Sequence, residues 1–282
     1  MPIYNAKNAF MKKTITDIQN QTTPIVCLTA YTAPMAQAAD KHCDLLLVGD
    51  SVSMVLYGED TTQKADMEMM IRHGCTVAKT AKQALVVVDM PYGSYESDKL
   101  IALQNAQRIM DETGCDAVKL EGGEAQAGTI HFLVENDIPV MGHIGLLPQS
   151  VNDVSGYKVQ GREDESAQQL RRDALMVQKA GAFSMVLEAI PETLAVDITE
   201  ILTIPTIGIG ASAACDGQIL VSEDMLGLTS GHVPKFVKQY ANLHQDIENA
   251  IENYAAEVKK RDFPAKEHTY KDNKPQPLKK VS

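Results

Sequence analysis

Five apolar runs in this chain reach an ionisable residue near their ends. "LLLVGDS" (45–51) arrives at Asp50 and "ALVVVDMP" (84–91) at Asp89; "AVKLEGG" (117–123) carries Lys119 and Glu121, "IPVMGHIG" (138–145) carries His143, and "SMVLEAI" (184–190) carries Glu188. Each has an ordinary structural reading when taken alone: a turn-capping aspartate, an ion pair between Lys119 and Glu121, a satisfied core histidine. Their shared position changes that reading if the runs are adjacent strands. Neighbouring strands lie roughly 4.8 Å apart, so Asp50 and Asp89 would occupy one small volume. Two bare carboxylates about 5 Å apart repel by roughly 3 kcal/mol at an effective dielectric of ~20. A shared proton would relieve this, and so would a hard divalent cation. Oxygen ligands on rigid strand ends, with no cysteine beside them, suit Mg²⁺. Residues 119 and 121 share one face of an extended segment, which lets Glu121 join the cation directly or through water.

A cation held by two or three carboxylates keeps open positions that fit the carboxylate and keto oxygens of a 2-oxo acid. Lys119 and His143 would balance the negative charge, leaving Glu188 as the group that moves a proton.

Such residues need a scaffold that aligns strand ends. Three further runs, "PIVCLTAY" (24–31), "IPTIGIGA" (204–211) and "QILVSED" (218–224), bring the number to eight. The runs are nearly continuous in apolar residues, as expected of parallel strands covered on both faces. Helical patterns such as "APMAQAADKHC", "KLIALQNAQRIMDETG" and "EDESAQQLRRDALMVQKAG" lie between them, the last two closing on glycine. Eight β/α units in 282 residues predict an α/β chain folded as a (β/α)8 TIM barrel, whose active site sits at the C-terminal strand ends. A doubly wound open sheet is the rival, but "TAYTAP" follows the first run where that fold wants a glycine-rich turn. Residues 1–23 are expected to form a helical extension closing the barrel floor, 24–268 the catalytic barrel, and 269–282 a mobile polar tail.

The formal net charge is −11, which argues against a nucleic-acid or anionic-membrane partner. No run approaches the roughly 18 apolar residues of a membrane span, and the first twenty residues lack a signal-peptide core, so a cytoplasmic location is expected. The five cysteines, Cys27, Cys43, Cys75, Cys115 and Cys215, form no C-x-x-C pair and read as reduced thiols.

The motifs "LLVGDS", "YGEDTT", "DMPYGSYE", "VKLEGGE", "GHIGLLPQSVN", "YKVQGR", "IGIGA", "CDGQILV" and "FPAKEH", in that order, resemble the ketopantoate hydroxymethyltransferase family of pantothenate biosynthesis. The resemblance implies a barrel that transfers a one-carbon unit from 5,10-methylenetetrahydrofolate to 3-methyl-2-oxobutanoate, giving 2-dehydropantoate and tetrahydrofolate. It also implies Mg²⁺ and a homo-oligomer, commonly a decamer. Positions matching Asp50 and Asp89 hold the metal in that family, with Glu121 in or beside its shell. Those matching Ser51, Lys119 and His143 contact the oxo acid, which Asp50 and Asp89 also face, and the position matching Glu188 is the general base, with Glu121 second in line. This chain departs from the family pattern at Thr32, Ser155 and Ser212, which puts the nearby loop shapes in question.

Two further features complete the reading. The long segment "LLPQSVNDVSGYKVQGRED" after the fifth run is expected to cover the site, with Lys158 and Arg162 as candidate folate contacts. Gly208 and Gly210 of "GIGA" read as close packing rather than a phosphate turn. The alternative activity is a metal-dependent lyase or mutase acting on another 2-oxo acid, since one fold hosts many reactions.

Overall fold

Eight parallel strands close in chain order into a barrel in the computed structural model, which describes residues 11–151, 157–229, 231 and 233–271. They are β1 (Ile25–Thr29), β2 (Leu45–Val48), β3 (Leu85–Asp89), β4 (Ala117–Lys119), β5 (Val140–Gly145), β6 (Ser184–Glu188), β7 (Thr206–Ile209) and β8 (Gly217–Leu220), with β8 pairing back onto β1. The barrel follows from alternation along each strand. Ile25, Cys27, Leu45, Leu47, Leu85, Val87, Ala117, Met141, Val186, Ile207 and Ile219 form one buried cluster inside the cylinder. Residues of the other parity, among them Leu46, Val48, Val86, Val88, Val118, Val140 and Leu187, belong to a second cluster that includes the helices. Both faces of these strands are therefore apolar, which is why the sequence shows runs rather than half-polar patterns.

The helices α1 (Ile15–Gln19), α2 (Ala33–Ala39), α3 (Val52–Val55), α4 (Met67–Thr80), α5 (Lys99–Thr113), α6 (Glu124–Glu135), α7 (Asp164–Lys179), α8 (Glu192–Ile201), α9 (Ser222–Met225) and α10 (Leu243–Lys260) punctuate the strands. Their starts follow local chemistry: Asp98 accepts the backbone N–H groups of Leu100 and Ile101, and Asp66 accepts that of Met69. Gly114 stops α5 at φ 69, a conformation glycine adopts without penalty. At the other end of the cylinder, α1 inserts the fully buried Ile18 into the inner cluster and so plugs the floor. Residues 1–10 of the expected extension and 272–282 of the expected tail lie outside the described residues.

Three details differ from the sequence expectation. The run at 117–123 stops being strand at Lys119, where the Tyr95 hydroxyl takes the place of a ladder partner by accepting from the Glu121 N–H at 3.2 Å. The run at 218–224 ends at Leu220 and turns into α9. No helix separates β7 from β8: residues 210–216 make that connection as a loop. No helix among the described residues is long and apolar enough to cross a membrane.

Candidate active site

The strand parity that fills the barrel with apolar groups also supplies its rim. One step beyond Leu85 and Val87 the inward position is Asp89; beyond Ala117 it is Lys119; beyond Met141 it is His143; beyond Val186 it is Glu188. Asp89 and Lys119 are register partners across β3 and β4. In β2 the equivalent position is Gly49, where an added Cβ would lie 3.0 Å from Ser51 Oγ and 3.7 Å from Asp89 Oδ2. Glycine keeps this space clear. The chain then turns, so that the Asp50 backbone N–H donates to Asp89 Oδ2 at 3.1 Å.

These side chains form a connected ring of charge. Lys119 Nζ lies 3.0 Å from Asp89 Oδ1 and 3.3 Å from His143 Nδ1. His143 Nδ1 is 3.4 Å from Glu121 Oε1, and its Nε2 is 3.2 Å from Glu188 Oε2. The Glu188 side chain is 15% exposed, against 3–4% for Asp89, Lys119, Glu121 and His143, which makes it the carboxylate of this group that opens to the mouth.

Burial and crowding shift the ring's acidities. Burial pushes the Asp50 carboxyl well above the carboxylate range, and Asp89 and Glu121 push it further, against Lys119 and a Gln149 hydrogen bond. Burial also raises Asp89, although Lys119 pulls it down. For Lys119, burial disfavours the ammonium, but Asp89, Glu121 and Asp50 outweigh it and hold the pKa above its ordinary value. His143 is lowered by burial and by Lys119, yet the Glu121 and Glu188 carboxylates prevail and push it up to about 9.

Several groups escape a search for charges at the ends of the apolar runs. Gln149 is 2% exposed on the short helical turn Pro148–Ser150 and contacts both the Asp50 side chain and the Glu121 carboxylate. Tyr95 joins Gln149 to the Glu121 backbone. The buried Tyr31 holds Ser51, its hydroxyl 2.8 Å from Ser51 Oγ. Glu223, 4% exposed at the start of α9, accepts from Ser222 Oγ at 2.9 Å. Tyr157, after the long loop, stays a neutral hydroxyl because burial, with Glu188, Asp50 and Glu121, pushes it up to about 12. The available hint was a glutamine set inside an otherwise apolar stretch, "IGLLPQSV".

The remaining expected positions behave differently. Lys158 and Arg162 are exposed and line neither the cavity beside Glu121 and Gln149 nor the one between Gly145 and Asp173. Ser212 is 6% exposed, outside the left-handed region, and its hydroxyl accepts from the Ala214 N–H at 3.1 Å, so serine is accommodated there. Thr32 caps α2 by accepting from the Met35 N–H at 3.4 Å. Ser155 lies outside the described residues. Gly210, at φ 63, packs under Phe236, whose Cδ1 would be 2.7 Å from an added Cβ.

A hard cation fits the Asp50–Asp89 pair. Both carboxylates are buried and both have raised pKa values, with Lys119 as the cation that meets Asp89 Oδ1. Among the described residues no three His, Cys, Asp or Glu side chains converge as a complete metal cage. Glu121 instead meets His143 and the Gln149 N–H. Two protein carboxylates with the rest left to water and substrate is the usual provision for Mg²⁺. A cavity of about 580 Å³, lined in part by Tyr92, Tyr95, Gly122 and Gly123, reaches Glu121 and Gln149 from outside.

Comparison with known proteins gives a consistent picture. A family model described as ketopantoate hydroxymethyltransferase matches residues 10–266. A 3-methyl-2-oxobutanoate hydroxymethyltransferase from Ruegeria sp. (strain TM1040) is 59% identical over 254 residues, 90% of each chain. One from Paracoccus denitrificans (strain Pd 1222) is 57% identical over 252 residues, 89% of this chain and 91% of that relative. Among solved structures, oxaloacetate acetylhydrolase in complex with the product oxalate superposes with a TM-score of 0.59 at 13% identity, covering 87% of this chain and 85% of that one. At that identity the likeness speaks to the fold alone.

Proposed function

This chain belongs to the ketopantoate hydroxymethyltransferase family, and on that basis we propose that it adds a hydroxymethyl group to C3 of 3-methyl-2-oxobutanoate, with 5,10-methylenetetrahydrofolate as donor, in pantothenate and coenzyme A biosynthesis. The observation that carries the mechanism is the exposure difference in the charged ring: the Glu188 side chain is 15% exposed, against 3–4% for Asp89, Lys119, Glu121 and His143.

In this reading Glu188 takes the C3 proton of the oxo acid. The negative charge that develops on the substrate is matched by Lys119, with His143 beside the newly protonated Glu188. Ser51, fixed by Tyr31, hydrogen-bonds the oxo acid. Asp50 and Asp89 would hold Mg²⁺, with Glu121 beside it through water, and the bound ion would supply Lewis-acid polarisation of the keto oxygen, worth several kcal/mol. C3 then forms a bond to the donated carbon as its two bonds to folate nitrogens break in turn; water supplies the product hydroxyl, and the proton held by Glu188 and one from that water pass to the nitrogens of the departing tetrahydrofolate. Proton transfer of this type contributes typically ~10² to 10⁴ in rate. Glu121 is a poorer base because its two carboxylate oxygens are already engaged, Oε1 with His143 and Oε2 with the Gln149 N–H.

The same reading includes a homo-oligomer. It is supported by α10, which buries none of its residues and turns Ile247, Ile251, Tyr254 and Val258 to solvent, and by Val26, 47% exposed on β1. The resemblance makes a decamer the expected assembly. A cytoplasmic location is supported by five free cysteines. No observation favours a lyase or mutase over this transfer.

The test is direct. The purified protein should form 2-dehydropantoate from 3-methyl-2-oxobutanoate and 5,10-methylenetetrahydrofolate, and lose that activity with chelator and regain it with Mg²⁺. Absence of product with both substrates and Mg²⁺ present would refute the assignment.

A further inference from the structure

We propose that Gln149 is a positioning residue that fixes the Asp50 carboxylate for cation binding; this rests on the reading that Asp50 and Asp89 hold a divalent cation. The hydrogen bonding of Gln149 is complete. Both amide hydrogens are used: Nε2 donates to Asp50 Oδ2 at 2.8 Å and to the Met90 carbonyl at 3.0 Å. The amide oxygen accepts from the Tyr95 hydroxyl at 2.6 Å. The backbone N–H donates to Glu121 Oε2 at 3.0 Å, and the backbone carbonyl accepts from Gln63 Nε2 at 2.8 Å. One residue thus ties together the ends of β2, β3 and β4 across 99, 59 and 28 positions of sequence.

This arrangement fixes the amide's orientation. A flipped amide would set its oxygen against Asp50 Oδ2 and the Met90 carbonyl, three acceptors facing one another in a buried site. With the amide held, Asp50 Oδ2 is committed to Gln149. Among the described residues no hydrogen bond reaches Asp50 Oδ1, so that oxygen is left for a ligand. Gln149 therefore selects which carboxylate oxygen is offered, and its donation favours the ionised form that a cation requires. A charged donor in its place would have competed with the cation for Asp50, and a carboxylate would have repelled Asp50. A neutral amide avoids both.

The experiment measures Mg²⁺ binding by titration calorimetry on the full chain, for wild type, Gln149→Met and Tyr95→Phe, with thermal unfolding in chelator recorded in parallel. Methionine keeps the length and removes the donors; phenylalanine keeps Gln149 and releases its oxygen. Outer-shell partners of this kind typically change metal affinity by about 10- to 100-fold. Q149M should weaken Mg²⁺ by that factor, and Y95F should weaken it less. If both variants unfold earlier but bind Mg²⁺ like wild type, Gln149 is a structural residue only and the proposal is wrong. If Q149M does not fold, Y95F decides by the same criterion. If wild type itself binds no Mg²⁺, the cation reading fails together with the role built on it, an outcome distinct from equal binding by all three.

Discussion

Replacing Lys119 by methionine removes the ammonium that neutralises Asp50, Asp89 and Glu121 within the barrel mouth. The Lys119 contact to Asp89 spans 3.0 Å between side chains only 4% and 3% exposed, so solvent does little to screen it. At an effective dielectric of ~20 that attraction is roughly 5 to 6 kcal/mol, much of it offset by the cost of burying both charges. Removing one partner leaves the other uncompensated, which costs about 3 to 5 kcal/mol. For a chain of this size that is a fall of roughly 6 to 20 °C in Tm. The measurement is melting by circular dichroism, in chelator, from mildly acidic to neutral pH. The sign follows from Asp50 and Asp89: their folded pKa values are raised, so the stability attached to their protonated forms is present at low pH and lost as pH rises through those values. In K119M this loss should be steeper, so the gap to wild type should widen toward neutral pH, and Mg²⁺ should narrow it by restoring positive charge. A gap under about 2 °C, or one independent of pH, would show that Lys119 does not neutralise the ring.

Other outcomes follow from the same geometry. His143 has its pKa raised from 6.5 to about 9, so its contribution is complete below 6.5 and lost as pH rises through about 9; His143→Gln should flatten that part of the melting profile in chelator, and a slope equal to wild type would remove His143 from the charge balance. Asp89→Asn should weaken Mg²⁺ binding by at least about 10-fold while the far-ultraviolet spectrum is unchanged; equal affinity by calorimetry would take Asp89 out of the metal site. Gly145→Ala should cost at least about 1 to 3 kcal/mol, because Gly145 sits at φ 98 where an added Cβ would collide with the Glu188 backbone carbonyl; unchanged melting would refute this reading of the strand pairing.

How much of this the sequence discloses depends on what each residue must do. Asp89, Lys119, His143 and Glu188 stand on the inward parity of their strands, so periodicity and charge together point to them. Asp50 is different. It follows the outward-facing Leu46 and Val48, and it reaches the site because the chain turns at Gly49, a change of direction that an apolar run does not announce. Glu121 likewise lies past the end of β4, carried there by the Tyr95 hydroxyl. Gln149 and Tyr95 carry no charge, and their value lies in contacts between segments far apart in the chain, which local pattern does not encode. The eight strands were visible for the opposite reason: with both faces covered, each needs only apolar residues. The missing helix between β7 and β8 was not, because a loop of seven residues closes that step without any distinctive composition.

The account as a whole stands on Glu188 as the base that removes the C3 proton of 3-methyl-2-oxobutanoate at a site where Asp50 and Asp89 hold a divalent cation. Deuterium uptake at C3, followed by nuclear magnetic resonance without the folate donor, isolates that step. Wild type with Mg²⁺ should exchange, chelator should stop it, and Glu188→Gln should slow it by at least about 10². Exchange at the wild-type rate in E188Q, or exchange indifferent to chelator, would contradict the assignment.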